Sequence, residues 1–448
     1  MPEADPTQPS GMVVVGGGEC GAHAAFALRH EGWRGPITVF GREELHAYER
    51  PPLSKAVLLT DECDPVHPYS REDFAAAGIE LRTGTEVASV DPARHLVALA
   101  DGTVLRYDRL LLAPGAKPRS LPLPPEPGVL TLRTHADALR LRDALSPGRR
   151  LCVVGAGLIG LELAAAGRAR GCEVTVVEAA GQALSRVVPD GVAADVVSLH
   201  ERNGVRFRWG TTVRRAERTA SGLALELPPG EALEVDVVVV GIGAVPETAL
   251  AQAAGLEVGN GILVDERLET SGADIFAAGD VACFPHPAFA GHRIRVESWR
   301  NAAEQAVTAA RNMLGADEPH RPIPWFWSDQ YDHTLQVTGL ATLATGLVWR
   351  RRDDGVRCCF GLDGAGRLVF ASGFGATAEV AREVRLAERL IAAGARPSPA
   401  ELADPAVPLR SLLAAATSSP AGATSSPAGS TSSPTGAATS SSAGAATG

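Results

Sequence analysis

Cysteine pairs, long apolar runs and aromatic side chains are scarce in this sequence. The seven cysteines are scattered and form no CxxC pair, and no apolar run reaches the roughly 18 residues of a transmembrane helix. A disulfide framework and a membrane span are therefore not expected. The polar N-terminus has no basic segment followed by an apolar core, which favours a cytoplasmic protein over a secreted one.

Metal-binding and basic patterns are also lacking. The eleven histidines show no HxH, HxxH or HExxH spacing, so we predict no metal site. The formal net charge of −10 argues against a nucleic-acid partner, since phosphate binding needs a basic surface. The 448 residues suggest about three domains, at roughly 150 residues each.

Two glycine fingerprints of the GxGxxG type are present, 139 residues apart (155 − 16). Each follows a short apolar run, precedes a helical stretch and leads to a second strand, at 37–40 and 173–177. The first glycine permits a tight turn, the second lets the backbone approach a pyrophosphate, and the third allows close helix packing. The glycines are Gly16, Gly18 and Gly21, then Gly155, Gly157 and Gly160. Two such βαβ units predict two bound dinucleotides.

The end of the second strand in each unit indicates how the ribose is bound. In the second unit this position is Glu178, whose carboxylate accepts hydrogen bonds from the ribose hydroxyls of NAD and repels a 2′-phosphate. We therefore predict NADH as the preferred nucleotide. In the first unit Arg42 stands where an acid is expected, and two interpretations stay open. Either Glu43 binds the ribose, or Arg42 stacks on or caps the adenosine.

Five further stretches of the sequence are distinctive. They are Tyr48-Glu-Arg-Pro-Pro-Leu-Ser-Lys55, Leu111-Leu-Ala-Pro-Gly-Ala-Lys-Pro-Arg119, Phe276-Ala-Ala-Gly-Asp280, Val296-Glu-Ser-Trp-Arg-Asn-Ala302 and Pro324-Trp-Phe-Trp-Ser-Asp-Gln-Tyr331. Together they resemble a known family, the NADH-dependent ferredoxin reductases of bacterial oxygenase systems, of the putidaredoxin reductase and biphenyl dioxygenase reductase type. The resemblance covers roughly residues 11–412.

The resemblance implies an α/β protein with two Rossmann-like dinucleotide-binding domains and an α+β C-terminal domain. The FAD domain is expected to be discontinuous, at 11–117 and 245–323, with the NAD domain at 118–244 inserted into it. The C-terminal domain is expected at 324–412. Residues 413–448 are Ser/Pro/Ala/Gly-rich and without charge, which predicts a disordered tail.

The resemblance also implies which residues hold the cofactors, FAD and NAD. Asp280 is expected at the ribityl chain, and also as a helix N-cap, and Trp299 is expected at the flavin ring. Pro114 replaces a threonine of relatives. The family's FAD contacts fall on Gly16, Gly18, Cys20, Gly21, Arg42, Lys55, Val87, Arg133, Asp280 and Trp299; Glu43, Arg50, Gly155, Gly157, Gly160, Glu178 and Gly243 complete the predicted cofactor-binding set.

Lys55 and Glu162 are the predicted catalytic residues. Hydride transfer needs the nicotinamide stacked on the flavin, and a lysine charge near flavin N5 favours the electron-rich reduced ring. Glu162, two residues after Gly160, is expected to face the cleft and pair with Lys55. The segment 50–58 contains no cysteine, unlike that of disulfide reductases, so electrons must leave from the flavin itself.

The predicted function is therefore electron transfer from NADH to a small iron–sulfur ferredoxin by a monomer or homodimer. The alternatives are an NADH oxidase or small-molecule reductase, and an NADH-sensing flavoprotein like apoptosis-inducing factor. An acidic ferredoxin needs a local basic surface. The predicted docking residues are Arg293, Arg295 and Arg300, and the run Arg350-Arg-Arg352.

Overall fold

Two parallel five-stranded sheets carry the two glycine fingerprints. The structure, a computed structural model, describes residues 10–61, 63–122 and 126–418. In space the first sheet has the strand order Ile275–Ala277, Arg109–Leu112, Met12–Val15, Ile37–Phe40 and Glu80–Arg82. The second has the order Arg206–Trp209, Glu173–Glu178, Arg150–Val154, Val237–Val240 and Val129–Thr131. Both second strands predicted from the sequence are present.

A helix begins directly after each fingerprint. Glu19–His30 follows the first and packs on Trp299–Met313, and Leu158–Ala169 follows the second. Both helices start at an extended glycine that supplies no side-chain cap, Gly18 or Gly157, so their first N–H groups stay free for a ligand. The other helices before residue 324 are Ala56–Leu59, Arg71–Ala76, His135–Ala144, Asp190–Arg202 and Ala249–Ala253.

Four smaller sheets complete these two units. A two-stranded pair, Ala116–Pro118 with Ala244–Pro246, joins the segments that lead into and out of the second parallel sheet. The predicted domain boundaries at 117/118 and 244/245 fall within this pair, and they stay predictions. The other strands are Val87–Asp91, Leu96–Leu99 and Val104–Arg106; Arg215–Thr219, Gly222–Leu227 and Glu231–Val235; and Val258–Gly259, Gly261–Leu263, Ala282–Pro285 and Arg293–Ile294.

The C-terminal part is an antiparallel sheet covered by helices. Its strands lie in the order Trp325–Gln330, His333–Gly339, Leu368–Gly375, Arg357–Leu362 and Gly346–Arg351. The helices are Thr377–Ala392, Pro399–Ala403 and Leu409–Ser418. One face of the sheet shares a core with the second parallel unit, where Leu335 and Phe374 pack in the same cluster as Leu161. The predicted α/β class with an α+β C-terminal part is confirmed.

The last helix corrects the predicted start of the tail. Leu409–Ser418 continues past the expected boundary at 412, because Leu409 and Leu412 are buried in the C-terminal core. A helix of ten residues is held by such tertiary packing rather than by its own propensity. The rest of the predicted tail, 419–448, lies outside the described residues.

Two truncations test this boundary. Ending the chain after residue 418 is expected to leave turnover and Tm unchanged, since a charge-free Ser/Pro/Ala/Gly tract contributes no core. Ending it after 408 removes two core leucines, at roughly 1.5–3 kcal/mol each, and should lower the Tm by several degrees. Differential scanning calorimetry checks both. Equal Tm values for the two truncations would contradict the assignment of the helix to the core.

Candidate active site

One continuous cavity of about 1570 Å³ connects the two fingerprints. This exceeds the roughly 300–1,000 Å³ of an ordinary small-molecule pocket and leaves room for two dinucleotides. The structure brings nearly all predicted site residues to its wall. Those lining it are Gly16, Gly18, Cys20, Arg42, Glu43, Arg50, Lys55, Val87, Arg133, Gly155, Gly157, Glu162, Glu178, Gly243, Asp280 and Trp299. Gly21 and Gly160 do not line it; they lie where each helix packs on its own turn.

The first fingerprint has the geometry of a phosphate turn. Gly16 has φ +120°, and a Cβ there would lie 2.0 Å from the carbonyl oxygen of Ala113. A Cβ on Gly21 would lie 1.9 Å from the oxygen of Gly16, so only glycine permits this close packing. Gly18 differs, since nothing lies within 4 Å of its Cβ position. The middle glycine therefore opens the backbone N–H groups to the cavity, as a pyrophosphate requires.

The second fingerprint repeats this geometry and adds a fixed acid. Glu178 ends the strand beside it, and its carboxylate accepts the N–H of Ala156 at 2.7 Å and that of Ala180 at 2.8 Å. A carboxylate has about four acceptor sites, so two remain for ribose hydroxyls. Sequence reasoning missed Arg186, which also lines the cavity and lies 3.4 Å from the Cβ position of Gly243. No spacing rule connects this arginine to the fingerprint.

At the adenosine end of the first unit, Glu43 is held by two neighbours. It accepts from Tyr48 Oη at 2.5 Å and forms an ion pair with Arg50 at 2.7 Å. Burial, together with Glu43, raises the pKa of Tyr48 to about 12, so the phenol stays a donor. Arg42 is exposed at the rim. Both interpretations of the ribose contact therefore remain, with Glu43 fixed and Arg42 free to move.

Asp280 and Arg133 form an ion pair at 3.1 Å within the cavity wall. Burial raises the pKa of Asp280, and the Arg133 guanidinium opposes that rise. The expected N-cap role of Asp280 is wrong. The residue lies inside the short 3₁₀ turn Gly279–Val281 and caps nothing, whereas the long helix that follows is capped by Ser298, whose side chain accepts from Asn301 N.

Lys55 and Glu162 are in contact where the two units meet. Lys55 Nζ lies 3.0 Å from Glu162 Oε2, and the Glu162 side chain is 3% exposed. Sequence reasoning missed two further partners of this carboxylate. Ser54 Oγ donates to Oε2, and Ser328 Oγ donates to Oε1 at 2.6 Å. Both serines belong to the stretches that carry the family resemblance, which was the available signal.

Three tryptophans extend from the cavity to the edge of the C-terminal sheet. Trp299 meets Trp327 edge to face at 6.2 Å between ring centroids, and Trp327 stacks on Trp325 at 5.3 Å. Lys55 Nζ lies 5.9 Å from the Trp327 centroid. Trp327 also lines the cavity, so it belongs with the predicted Trp299 as an aromatic wall beside the lysine.

Two titratable residues beside the first fingerprint have perturbed pKa values. Burial and the Glu49 carboxylate raise the pKa of Glu19 to about 7, and Glu19 lines the cavity. Sequence reasoning missed it because the variable positions of the fingerprint have no fixed chemistry. Burial, Asp280 and Glu19 raise the pKa of the neighbouring Cys20 thiol. Cys20 is therefore a protonated, unreactive wall residue.

The predicted docking run Arg350-Arg-Arg352 is wrong for Arg350 and Arg352, whereas Arg351 is exposed and stays a prediction. Arg350 is 1% exposed and donates to the carbonyl oxygens of Leu402 at 2.8 Å and Glu401 at 3.0 Å. Arg352 pairs with Asp354 at 2.8 Å. The strand Gly346–Arg351 packs under the helix Pro399–Ala403, so these cations hold the C-terminal part together instead of facing a partner.

The predicted docking cations near Trp299 are also engaged within the chain. Arg300 pairs with Glu304 at 2.7 Å and binds Glu388 at 3.1 Å. Arg295 pairs with Glu297, and Arg293 donates to backbone oxygens at 2.8 and 3.1 Å. The charges of Arg295 and Arg300 are compensated by acids on neighbouring turns and on the helix Thr377–Ala392, whereas Arg293 is exposed and is held by backbone oxygens. They do not form the free basic patch that we expected.

Fold and cavity together define a flavin- and nicotinamide-dependent oxidoreductase with two dinucleotide-binding units. The chain belongs to the Pyridine nucleotide-disulphide oxidoreductase family, whose model matches residues 10–306. A second model, Reductase C-terminal, matches residues 325–413. The predicted family and the predicted cofactors, FAD and NAD, are confirmed. None of the helices in the described ranges is long and apolar enough to cross a membrane.

Relatives with known roles match over nearly the whole chain. The anthranilate 1,2-dioxygenase system ferredoxin–NAD(+) reductase component of Burkholderia cepacia is 42% identical over 409 residues, covering 90% of this chain and 99% of the relative. Rhodocoxin reductase of Rhodococcus erythropolis is 40% identical over 356 residues, covering 78% and 83%. The structure of a covalent putidaredoxin reductase–putidaredoxin complex matches with a TM-score of 0.85 at 35% identity, covering 92% of this chain and 100% of that chain.

Proposed function

We propose that this chain passes electrons from NADH to a ferredoxin that serves an oxygenase or a cytochrome P450. One observation carries the proposal. The cavity places Lys55 and Glu162 between the two fingerprints, and its described wall includes one cysteine, Cys20, whose thiol is buried and protonated. Disulfide reductases pass electrons through a pair of cysteine thiols, and the described cavity wall has no such pair. The acceptor therefore takes electrons directly from the flavin.

The residues of this chain supply binding and charge. Bound FAD supplies the redox chemistry, accepting hydride from NADH and releasing single electrons. The turn at Gly16–Gly21 and the N-terminus of the helix Glu19–His30 would hold its pyrophosphate, and Asp280, paired with Arg133, would hold its ribityl chain. Glu178 selects the nucleotide. Lys55 presents a fixed positive charge that stabilises added negative charge on the ring.

Acceptor choice is tested by NADH-driven cytochrome c reduction with and without candidate [2Fe–2S] ferredoxins. We expect ferredoxin to raise the rate many-fold, because in the proposed function ferredoxin carries the electrons from the flavin to cytochrome c. Ferricyanide, which needs no protein docking, is the control for an intact flavin half-reaction. Ferredoxin-independent turnover accompanied by stoichiometric oxygen consumption would instead identify an NADH oxidase. Slow turnover with a long-lived charge-transfer band would identify an NADH-sensing protein.

The iron–sulfur type of the partner, the cytoplasmic location and the monomeric or homodimeric state stay predictions from the sequence. Light scattering after gel filtration measures the oligomeric state directly. Because Arg295 and Arg300 pair with acids of the chain and Arg293 is bound to backbone oxygens, the ferredoxin docking surface is left unassigned among the described residues.

A further inference from the structure

A chain of buried hydrogen bonds leads from the Lys55–Glu162 pair into the C-terminal sheet. Ser328 Oγ donates to Glu162 Oε1 at 2.6 Å, and Gln330 Nε2 donates to Ser328 Oγ at 2.8 Å. Gln330 Oε1 lies 2.9 Å from His200 Nε2. Ser328, Gln330 and His200 are each 0% exposed. Four consecutive polar groups are therefore removed from water and satisfied by one another.

The donors in this chain all point the same way. Because the Gln330 amide nitrogen donates to Ser328, its oxygen is the acceptor, and His200 must carry its proton on Nε2. Burial lowers the pKa of His200 to about 4, which keeps the ring neutral with a single N–H. Each N–H and O–H thus points toward the Glu162 carboxylate. Aligned donors polarise one another in a low-dielectric interior and strengthen the last bond, the one to the anion.

The chain joins three elements that are remote in sequence. Glu162 lies on the helix after the second fingerprint, and His200 lies on the helix Asp190–Arg202 of the same unit. Ser328 and Gln330 are two residues apart on the strand Trp325–Gln330, so their side chains share one face of the C-terminal sheet. That face shares an apolar core with the nucleotide unit, through Leu335 among others. The position of the carboxylate therefore depends on how the C-terminal sheet is seated.

Lys55 needs such support. Its side chain is long and 24% exposed, and apart from Glu162 its ammonium has a long 3.5 Å contact with the carbonyl oxygen of Pro51 and lies 5.9 Å from the centroid of the Trp327 ring. A lysine in this setting loses its position whenever its carboxylate partner rotates. Ser328 on Oε1 and Ser54 on Oε2 block that rotation from both sides.

We propose that Ser328, Gln330 and His200 are positioning residues that act through Glu162 to hold the Lys55 ammonium at the flavin site. The inference rests on the NADH half of the proposed function and is independent of the acceptor. It also gives the C-terminal sheet a part in flavin reduction by NADH, in addition to covering the cavity.

Anaerobic stopped-flow reduction of the FAD-loaded full chain by NADH tests the inference without any ferredoxin. Ser328→Ala should slow flavin reduction about tenfold, the value of one hydrogen bond to a charged group, with the Kd for NADH unchanged. Gln330→Met, of similar length and without polar ends, should slow it in the same direction. The matched control is Ser372→Ala. Ser372 is fully buried in the same sheet and its Oγ has no partner in the described chain, so the wild-type rate is expected.

A double-mutant cycle separates positioning from general damage. In a Lys55→Met background the hydrogen-bond chain has no ammonium left to position, so adding Ser328→Ala should change the rate of flavin reduction by less than about twofold. A wild-type rate for Ser328→Ala, or the same tenfold loss in the Lys55→Met background, would overturn the proposal. NADH could reduce the wild-type flavin although no ferredoxin-dependent turnover follows. That result would contradict the proposed function alone, and the comparison of flavin-reduction rates among the variants would still test the positioning role.

Discussion

Replacing Lys55 with methionine is expected to slow reduction of the flavin by NADH about hundredfold, the usual effect of losing one preorganised charge at a reacting centre. Methionine keeps an unbranched apolar side chain of nearly the same length, but the ammonium and its cation–π contact with Trp327 are lost. The buried Glu162 carboxylate is then left without a cation in a site lined for one. FAD retention should weaken as well. Anaerobic stopped-flow absorbance and the fraction of FAD released on gel filtration measure the two effects.

The chain offers a matched control, because it contains only two lysines. Lys117 is 61% exposed and pairs with Glu247 at 2.9 Å, away from Glu162. Lys117→Met changes the net charge by the same amount as Lys55→Met, and NADH should reduce the flavin of this variant at the wild-type rate. If Lys55→Met were also reduced at that rate, the pair with Glu162 would be structural, and the catalytic assignment would be wrong.

Glu178→Ala is expected to lower the preference for NADH over NADPH by about ten- to hundredfold, since hydrogen bonds to a charged group contribute roughly 1.5–3 kcal/mol. The loss has two parts. The carboxylate no longer accepts from the ribose of NADH, and it no longer repels a 2′-phosphate. The two backbone N–H groups that now hold it, those of Ala156 and Ala180, become free donors for an anion.

The comparison is kcat/KM for NADH and NADPH with ferricyanide as acceptor, so that ferredoxin docking plays no part. Glu173→Ala is the matched control. Glu173 lies at the opposite end of the same strand and forms an exposed ion pair with Arg206. Glu173→Ala should leave the ratio of kcat/KM for NADH to kcat/KM for NADPH unchanged. A wild type that prefers NADPH would remove the basis for the Glu178 assignment.

Local geometry was predictable where chain neighbours enforce it. The glycines of both fingerprints follow from a strand that turns at once into a helix, and Gly21 is required by a contact of 1.9 Å with Gly16 inside a single turn. The 2.0 Å contact at Gly16 is different, since it is with Ala113 after the neighbouring strand Arg109–Leu112. Glu178 was predictable because it ends the strand beside the second fingerprint. The Lys55–Glu162 contact was expected through the family resemblance, since the two residues are 107 positions apart.

Cations were the least predictable residues. Arg350 and Arg300 stand in sequence contexts that suggest exposed basic patches, and the first is buried while the second is compensated by Glu304 and Glu388. A charge pattern along the chain shows which charges are near in sequence. It does not show which acids a neighbouring helix brings close to an arginine. Those acids decide whether the guanidinium is paired within the chain or is available to a partner protein.

The sequence by itself determined the two dinucleotide folds and the lack of cysteine in the segment 50–58, and it predicted Glu178 as the acid for NAD, because each depends on residues that lie close together along the chain. Only the tertiary structure decided which groups converge on Glu162. Ser54 comes from the first nucleotide unit. Ser328 and Gln330 lie on one strand of the C-terminal sheet, and their contacts with Glu162 and His200 form only when that sheet packs on the second nucleotide unit. Hydrogen bonds act over about 3 Å, so their partners are set by packing and not by spacing along the chain.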